Sequence, residues 1–276
     1  MSEELKKLQS VEVEILDEIA RLCEKHSIRY CLIGGTLLGA VRHKGFIPWD
    51  DDLDIVMPRA DYDKFCAVSK IELDSKYYLH NIQTDKKYWL PFAKIRKHGT
   101  IFDEKNCANI NAPKGIYVDI FPLDFSKGEN SKEQAFRTFW IKQIAGAIIW
   151  KRGIHETKHK LLAWIRNIFF LPFTIKFLTK IELSLMQKLK KGDYYVNFGS
   201  NYKTKKQTMP ISYYEPYDFL EFEEKKYPVP KEYEKVLTRI YGSDYMQLPP
   251  EEKRVTHKPV RLIFDINDKE KGKNNG

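Results

Sequence analysis

The chain has 276 residues, 42% of them hydrophobic and 13% aromatic, with a formal net charge of +9; that much apolar material excludes global disorder and suits one large domain or two unequal lobes. Its four cysteines, Cys23, Cys31, Cys66 and Cys107, show neither a C-x-x-C pair nor zinc-ligand spacing and read as reduced thiols; with an amino terminus that lacks the apolar run of a signal peptide, they point to the cytoplasm. The basic excess is concentrated in residues 134–180, which hold nine Lys or Arg against one acid, Glu156, while the uncharged runs there fall short of the roughly 20 apolar residues that cross a bilayer.

In chain order, residues 5–24 predict an amphipathic helix, because Val11, Ile15, Ile19 and Leu22 recur at helical spacing among charged side chains. "YCLIGG" (30–35) predicts a short buried strand ending at a Gly-Gly turn, and "TLLGAVRHK" (36–44) a helix leaving that turn, stopped by Gly45 and Pro48. "DDLDIVMP" (51–58) predicts a strand closed by Pro58, and "WLPFAKIRKHG" (89–99) another. "GIYVDIFPLD" (115–124) is the clearest strand, rich in β-branched and aromatic residues. Residues 131–191 read as helical, with Phe136, Trp140, Ile144 and Ile148 on one face. A short strand near 217–222 and a helix over 230–241 follow, and 266–276 reads as a disordered tail.

The chemistry begins with alternation. Side chains on a strand point to opposite faces with period two, so Asp52 and Asp54 share a face while Leu53 and Ile55 point to the core. Asp50 lies near that face at the strand entrance, and Asp51 turns away into a solvated or structural role. In "IYVDIF", Asp119 stands alone on an otherwise apolar strand, where a carboxylate costs stability unless something pairs with it. Carboxylates gathered on neighbouring strands repel each other by about 4 kcal/mol per pair at 4 Å and an effective dielectric near 20. They call for a cation, and an all-oxygen ligand set of Asp50, Asp52, Asp54 and Asp119 favours Mg²⁺ or Mn²⁺.

Gly34 and Gly35 supply the other half of a phosphoryl site. Their backbone admits a ligand closely, Thr36 offers a hydroxyl, and the helix after them aims free N–H groups at an anion. Arg42, His43 and Lys44 follow one helical pass later, and Lys94 and Arg96 alternate onto one strand face; all five are candidates for donor-phosphate contact. Trp49 and Trp89 lie near the expected site.

A strand ending in "IGG", a helix, "DDLDI" and a later "VDI" together resemble the nucleotidyltransferase superfamily, and "GGTLLGAVRHKGFIPWDDDLD" narrows the resemblance to the LicD family of phosphotransferases, with fukutin-type transferases as distant relatives. "FAKIRKHGT", "GIYVDIFPLD" and "YGSDYMQLPPEEK" extend it over most of the chain outside residues 125–215. The resemblance implies an α+β fold: a nucleotidyltransferase-like mixed β-sheet core (1–124) with flanking helices, an appended helical, basic region (125–215) for a membrane surface or an acceptor, and a C-terminal segment (216–265) packed on the core. It makes Asp52 and Asp54 the metal-binding pair, Asp119 the third carboxylate and Asp50 a neighbouring acid. It implies metal-dependent transfer of phosphocholine from CDP-choline to a sugar hydroxyl of a lipid-linked cell-surface glycan or teichoic acid precursor, releasing CMP. Transfer of glycerol phosphate or ribitol phosphate, or of a nucleotidyl group to a protein or RNA, stays open as an alternative, although the cysteine-bound zinc element of the fukutin-type relatives has no counterpart here. The acidic site and the lack of a glycine-aromatic RNA motif argue against nucleic-acid binding. The basic, aromatic helices suit either the anionic inner face of a membrane or a buried subdomain with a basic outer face.

Overall fold

Ser2 accepts a hydrogen bond from the Leu5 N–H and Glu3 and Glu4 occupy the first turn, so the first helix, α1 (Glu3–Lys25), starts with a side-chain cap and acids at its positive end. Leu8, Ile15, Leu16, Ile19 and Leu22 along it are at most 1% exposed, and each such burial contributes about 1.5–3 kcal/mol. The computed structural model describes residues 2–104, 113–154, 160–254 and 259–266; Cys107 and the tail expected to be disordered, from residue 267 on, lie outside them.

After α1 come β1 (Cys31–Leu32), α2 (Gly34–His43), β2 (Asp54–Pro58), α3 (Arg59–Glu72), β3 (Tyr77–His80), β4 (Ala93–Lys97), β5 (Ile101–Asp103) and β6 (Tyr117–Ser126). Three helices follow, α4 (Lys132–Lys151), α5 (Lys160–Phe170) and α6 (Ile175–Met186). The chain then returns through β7 (Tyr194–Val196), β8 (Thr208–Pro210), α7 (Ile211–Tyr214), the hairpin β9 (Asp218–Phe222) and β10 (Lys225–Val229), α8 (Tyr233–Tyr241) and β11 (Arg261–Ile263). The main sheet runs β1-β2-β6-β4-β3, and β7, paired with β8, extends it along the far end of β6. Only β2 and β6 are parallel within it. The fold is α+β, as expected.

The differences from the sequence reading have physical causes. The glycine pair forms the first turn of α2 instead of a turn before it, and β2 begins at Asp54 instead of residue 51. Of residues 89–99 only Ala93–Lys97 is strand. The strand expected near 217–222 is half of a hairpin whose turn residues, Glu223 and Glu224, both have positive φ; neither is Gly or Asn, so the usual turn signal is missing.

Two apolar clusters result. The larger joins the sheet to α1, α2, α3 and α8, and the smaller centres on Ile144, Ala147, Ile148, Phe170 and Leu178 of the three helices. Arg137, fully buried, bolts them together by donating to the carbonyls of Phe125 (2.9 Å), Leu185 (2.8 Å) and Met186. Trp89 packs on the smaller cluster and lines a cleft with Arg59 and Asp63, so it does not stand with the acids.

Glu182 on α6 faces that cleft; burial alone pushes its carboxyl from the ordinary 4.5 up to about 8, and its Oε1 has no hydrogen-bond partner. A folded-state pKa above the unfolded one means stability that is full below pH 4.5 and is lost as pH rises through 8. Glu182→Gln should therefore flatten the decline in melting temperature across that window, measured by thermal unfolding at a series of pH values.

Candidate functional site

The site is assembled where β1 passes into α2. The Ile33 N–H donates to the Asp54 carbonyl (3.2 Å) and the Asp54 N–H donates to Thr36 Oγ1 (2.8 Å), which locks the glycine turn onto β2. Gly34 has φ +60°, the left-handed region that favours glycine. A Cβ there would lie 3.2 Å from Asp54 Oδ2, and one on Gly35 would lie 2.6 Å from Asp50 Oδ2. The missing side chains thus let two carboxylates press against the start of the helix. The first α2 amide that closes onto a carbonyl is that of Leu37, bonded to Ile33 (3.1 Å), so the amides of Gly34, Gly35 and Thr36 have no partner inside the helix.

The sheet supplies the rest. Parallel register sets Asp54 opposite Asp119, and antiparallel register sets Asp119 opposite Lys94. Residues paired across adjacent strands share a face, so acid, acid and base form one row over three strands. Lys94 Nζ stands 2.6 Å from Asp119 Oδ1 and 3.4 Å from the centre of the Tyr117 ring. Burial, then Asp52, Asp119 and Asp50, push the Asp54 carboxyl well above the ordinary range, against the pull of Lys94. Asp119 is also raised, because its burial outweighs the Lys94 cation.

A sixth acid, Glu12, escaped the sequence reading. It is 2% exposed on α1 and is pushed strongly upward by burial and then by Asp52, Asp51, Asp50 and Asp54. Its signal was there: Glu12 lies on the apolar stripe of α1, one turn from Leu8 and Leu16, where a charged residue has no ordinary reason to be. Gln9, on the same stripe, donates to the Asp50 carbonyl (2.8 Å) and so holds the acidic loop. Asp51 is buried, 4% exposed, which rules out the solvated alternative of its expected solvated or structural role. From the carboxyl-terminal part, Glu223 accepts from the Phe46 N–H (3.0 Å), donates its own N–H to the Lys44 carbonyl (3.0 Å), and leaves no room for a Cβ on Gly45.

The expected phosphate contacts divide. Gly34, Gly35, Thr36 and Lys94 are at the acids. Arg42, His43 and Lys44 are at the opposite end of α2, about 12 Å along its axis. There Arg42 donates to His43 Nε2 (2.9 Å) and to the carbonyls of Tyr245 (3.0 Å) and Gln247 (3.3 Å), and Lys44 faces Glu221 at 3.5 Å. Arg96 is committed as well, to His80 Nδ1 (3.0 Å) and the Gly115 carbonyl (2.7 Å). In exchange the structure contributes Tyr202 and Tyr241, set edge to face at 5.7 Å, whose phenols are raised by burial and also feel Asp54 and Asp50.

Among the described residues no three acidic, histidine or cysteine side chains form a group that could grip an ion as they stand. The donor set still suits a hard divalent cation: the side chains that converge are carboxylates, each raised first by burial and then by its acidic neighbours. Asp50, Asp52, Asp54 and Asp119 are the residues that could hold it. Removing the internal cation should expose the same excess. Lys94→Met is expected to cost about 3 kcal/mol at pH 7, and adding Asp119→Asn should restore most of it, as read by denaturant unfolding of the single and double variants.

Comparison with known proteins assigns the chain to a family. Residues 27–151, which carry the glycine turn and all four aspartates, match the family model described as LicD/FKTN/FKRP, nucleotidyltransferase domain. The chain is 32% identical over 262 residues to the lipopolysaccharide cholinephosphotransferase LicD of Haemophilus influenzae, covering 92% of this chain and 95% of that one. Uncharacterized proteins of Rickettsia prowazekii and Rickettsia typhi are each 48% identical over a stretch of 48 residues, 17% of this chain. With that similarity running through nearly the whole of both chains, from the first helix to the carboxyl-terminal elements, the protein belongs to the LicD family of phosphotransferases.

Proposed function

We propose that the protein transfers phosphocholine from CDP-choline to a sugar hydroxyl of a cell-surface glycan and releases CMP, using a nucleotidyltransferase-like core on the cytoplasmic side of the membrane. The observation that carries this reading is the row Asp54–Asp119–Lys94 beside the Gly34–Gly35 helix start, in a chain similar over its length to a cholinephosphotransferase. Lipopolysaccharide is the acceptor named for that relative; a lipid-linked glycan of the same kind, or a teichoic acid precursor, fits the reading here.

The amides of Gly34, Gly35 and Thr36, at the positive end of α2, receive the donor's diphosphate. Asp50, Asp52, Asp54 and Asp119 would hold Mg²⁺ or Mn²⁺, which when bound would neutralise diphosphate charge and polarise the phosphorus. Asp119 accepts the proton of the sugar hydroxyl. The hydroxyl oxygen then bonds to the choline-bearing phosphorus as the bond to the CMP oxygen breaks. Lys94 keeps the Asp119 carboxylate oriented through their 2.6 Å pair. Tyr202 and Tyr241 offer ring faces to the quaternary ammonium of choline near the acids.

Purified protein incubated with CDP-choline, CDP-glycerol, CDP-ribitol or ATP in Mg²⁺ should release CMP with CDP-choline and an acceptor glycan, and chelation should stop it. CMP from another donor instead, or nucleotidyl transfer from ATP, would overturn the donor assignment. Asp52→Asn and Asp54→Asn should each lower kcat by about 10²–10³. Gly35→Ala, which drives a methyl group into Asp50, should lower kcat/KM by about tenfold or more. Tyr202→Ala should raise KM for CDP-choline while leaving the inhibition constant of CMP, which lacks the quaternary ammonium, unchanged.

A further inference from the structure

A water-soluble helix buries its most apolar stripe, and α5 does the reverse. It buries Ala163, Asn167 and Phe170, and turns Leu161, Leu162, Trp164, Ile165, Ile168 and Phe169 outward at 50–69% exposure. Of the large hydrophobic side chains exposed among the described residues, most lie on α4, α5, α6 and the turn after α5. Together they amount to an apolar surface on the order of 1,000 Å², well above the 300–600 Å² of a typical largest patch. Next to it, between the three helices, is a groove of about 420 Å³ whose lining side chains are all apolar, among them Phe136, Trp140, Phe169, Phe173 and Phe177.

We propose that this face docks the protein onto an anionic bilayer leaflet, with α5 lying in the interface and the groove taking a lipid acyl chain. Charge selects that occupant. Residues 134–180 carry nine cations against one acid, and Lys142, Lys160, Lys176 and Lys180 among them are exposed. A second copy docking through the same face would set like charge against like, whereas anionic headgroups attract each nearby Lys or Arg by about 1 kcal/mol. The proposal sets the helices along the leaflet: no single described helix is long and apolar enough to span, and α5 and α6, which pass that test only as a pair, meet at a bend of 104°. Lys151 Nζ holds the turn between them through the Leu171 carbonyl (3.0 Å).

The test is flotation of the full chain with vesicles of phosphatidylcholine alone and with phosphatidylglycerol added. The protein should float with the anionic vesicles, less so as salt rises, and only weakly with the neutral ones. The double variant Ile165→Glu/Ile168→Glu should weaken binding by about tenfold or more with an unchanged melting temperature, because both side chains are half exposed. Failure to float with either vesicle, or equal binding by the variant, would overturn the proposal. So would a concentration-dependent dimer that the variant abolishes without any vesicle binding, which would give the face to a second copy. No nucleotide donor enters the assay, so its failure leaves phosphocholine transfer standing, and failure of the donor screen leaves the membrane face standing.

Discussion

The crowding of carboxylates on one side of a sheet is the constraint to which the rest of the molecule answers. Parallel pairing of β2 with β6 forces Asp54 and Asp119 together, and the loop before β2 adds Asp50, Asp51 and Asp52. Like charges at such spacing are tolerated only with compensation nearby. The chain provides it in three ways: the Lys94 ammonium on the next strand, the positive end of α2, and burial of Glu12, which raises its carboxyl and disfavours its charge. Each weakens the repulsion without removing the carboxylates from one another's influence.

A second theme is how far the helix–sheet frame goes to hold backbone in place. Thr36, Gln9 and Glu223 come from three different elements, and all direct a side-chain atom at the main chain of the glycine turn or the acidic loop. Main-chain amides and carbonyls are obligatory hydrogen-bonding groups, so fixing them fixes the carboxylates that project from them. The same economy appears at Arg59, whose bidentate pair with Asp124 (2.8 Å for both bonds) ties the start of α3 to β6.

Much of this could be read from the residues. Period-two alternation separated Asp52 and Asp54 from Leu53, marked Asp119 on its apolar strand, and identified the glycine pair as a close-approach point. The α1 stripe was equally plain. Other features depended on partners that a sequence does not display. Arg42 and Arg96 have the right charge for phosphate, yet each is already occupied by carbonyls and a histidine. Tyr202 and Tyr241 meet the acids only after the chain has returned from the helical region, about 150 and 190 residues after Asp50. Asp51 is buried by tertiary packing that alternation alone does not foresee. The short strands β3, β5, β7, β8 and β11, of three or four residues each, are too brief for periodicity to register.

The brace at Glu223 has a consequence for where this catalytic unit begins and ends. The family match stops at residue 151, yet the loop that presents Asp50 is gripped by a hairpin some seventy residues later, and α1, the whole of which precedes the match, supplies Glu12 and Gln9. A fragment cut at the edges of the match would retain every aspartate and lose the supports that aim them. The conserved-looking module is therefore an inventory of chemistry without mechanical autonomy, and any transplant or truncation of it has to carry both flanks.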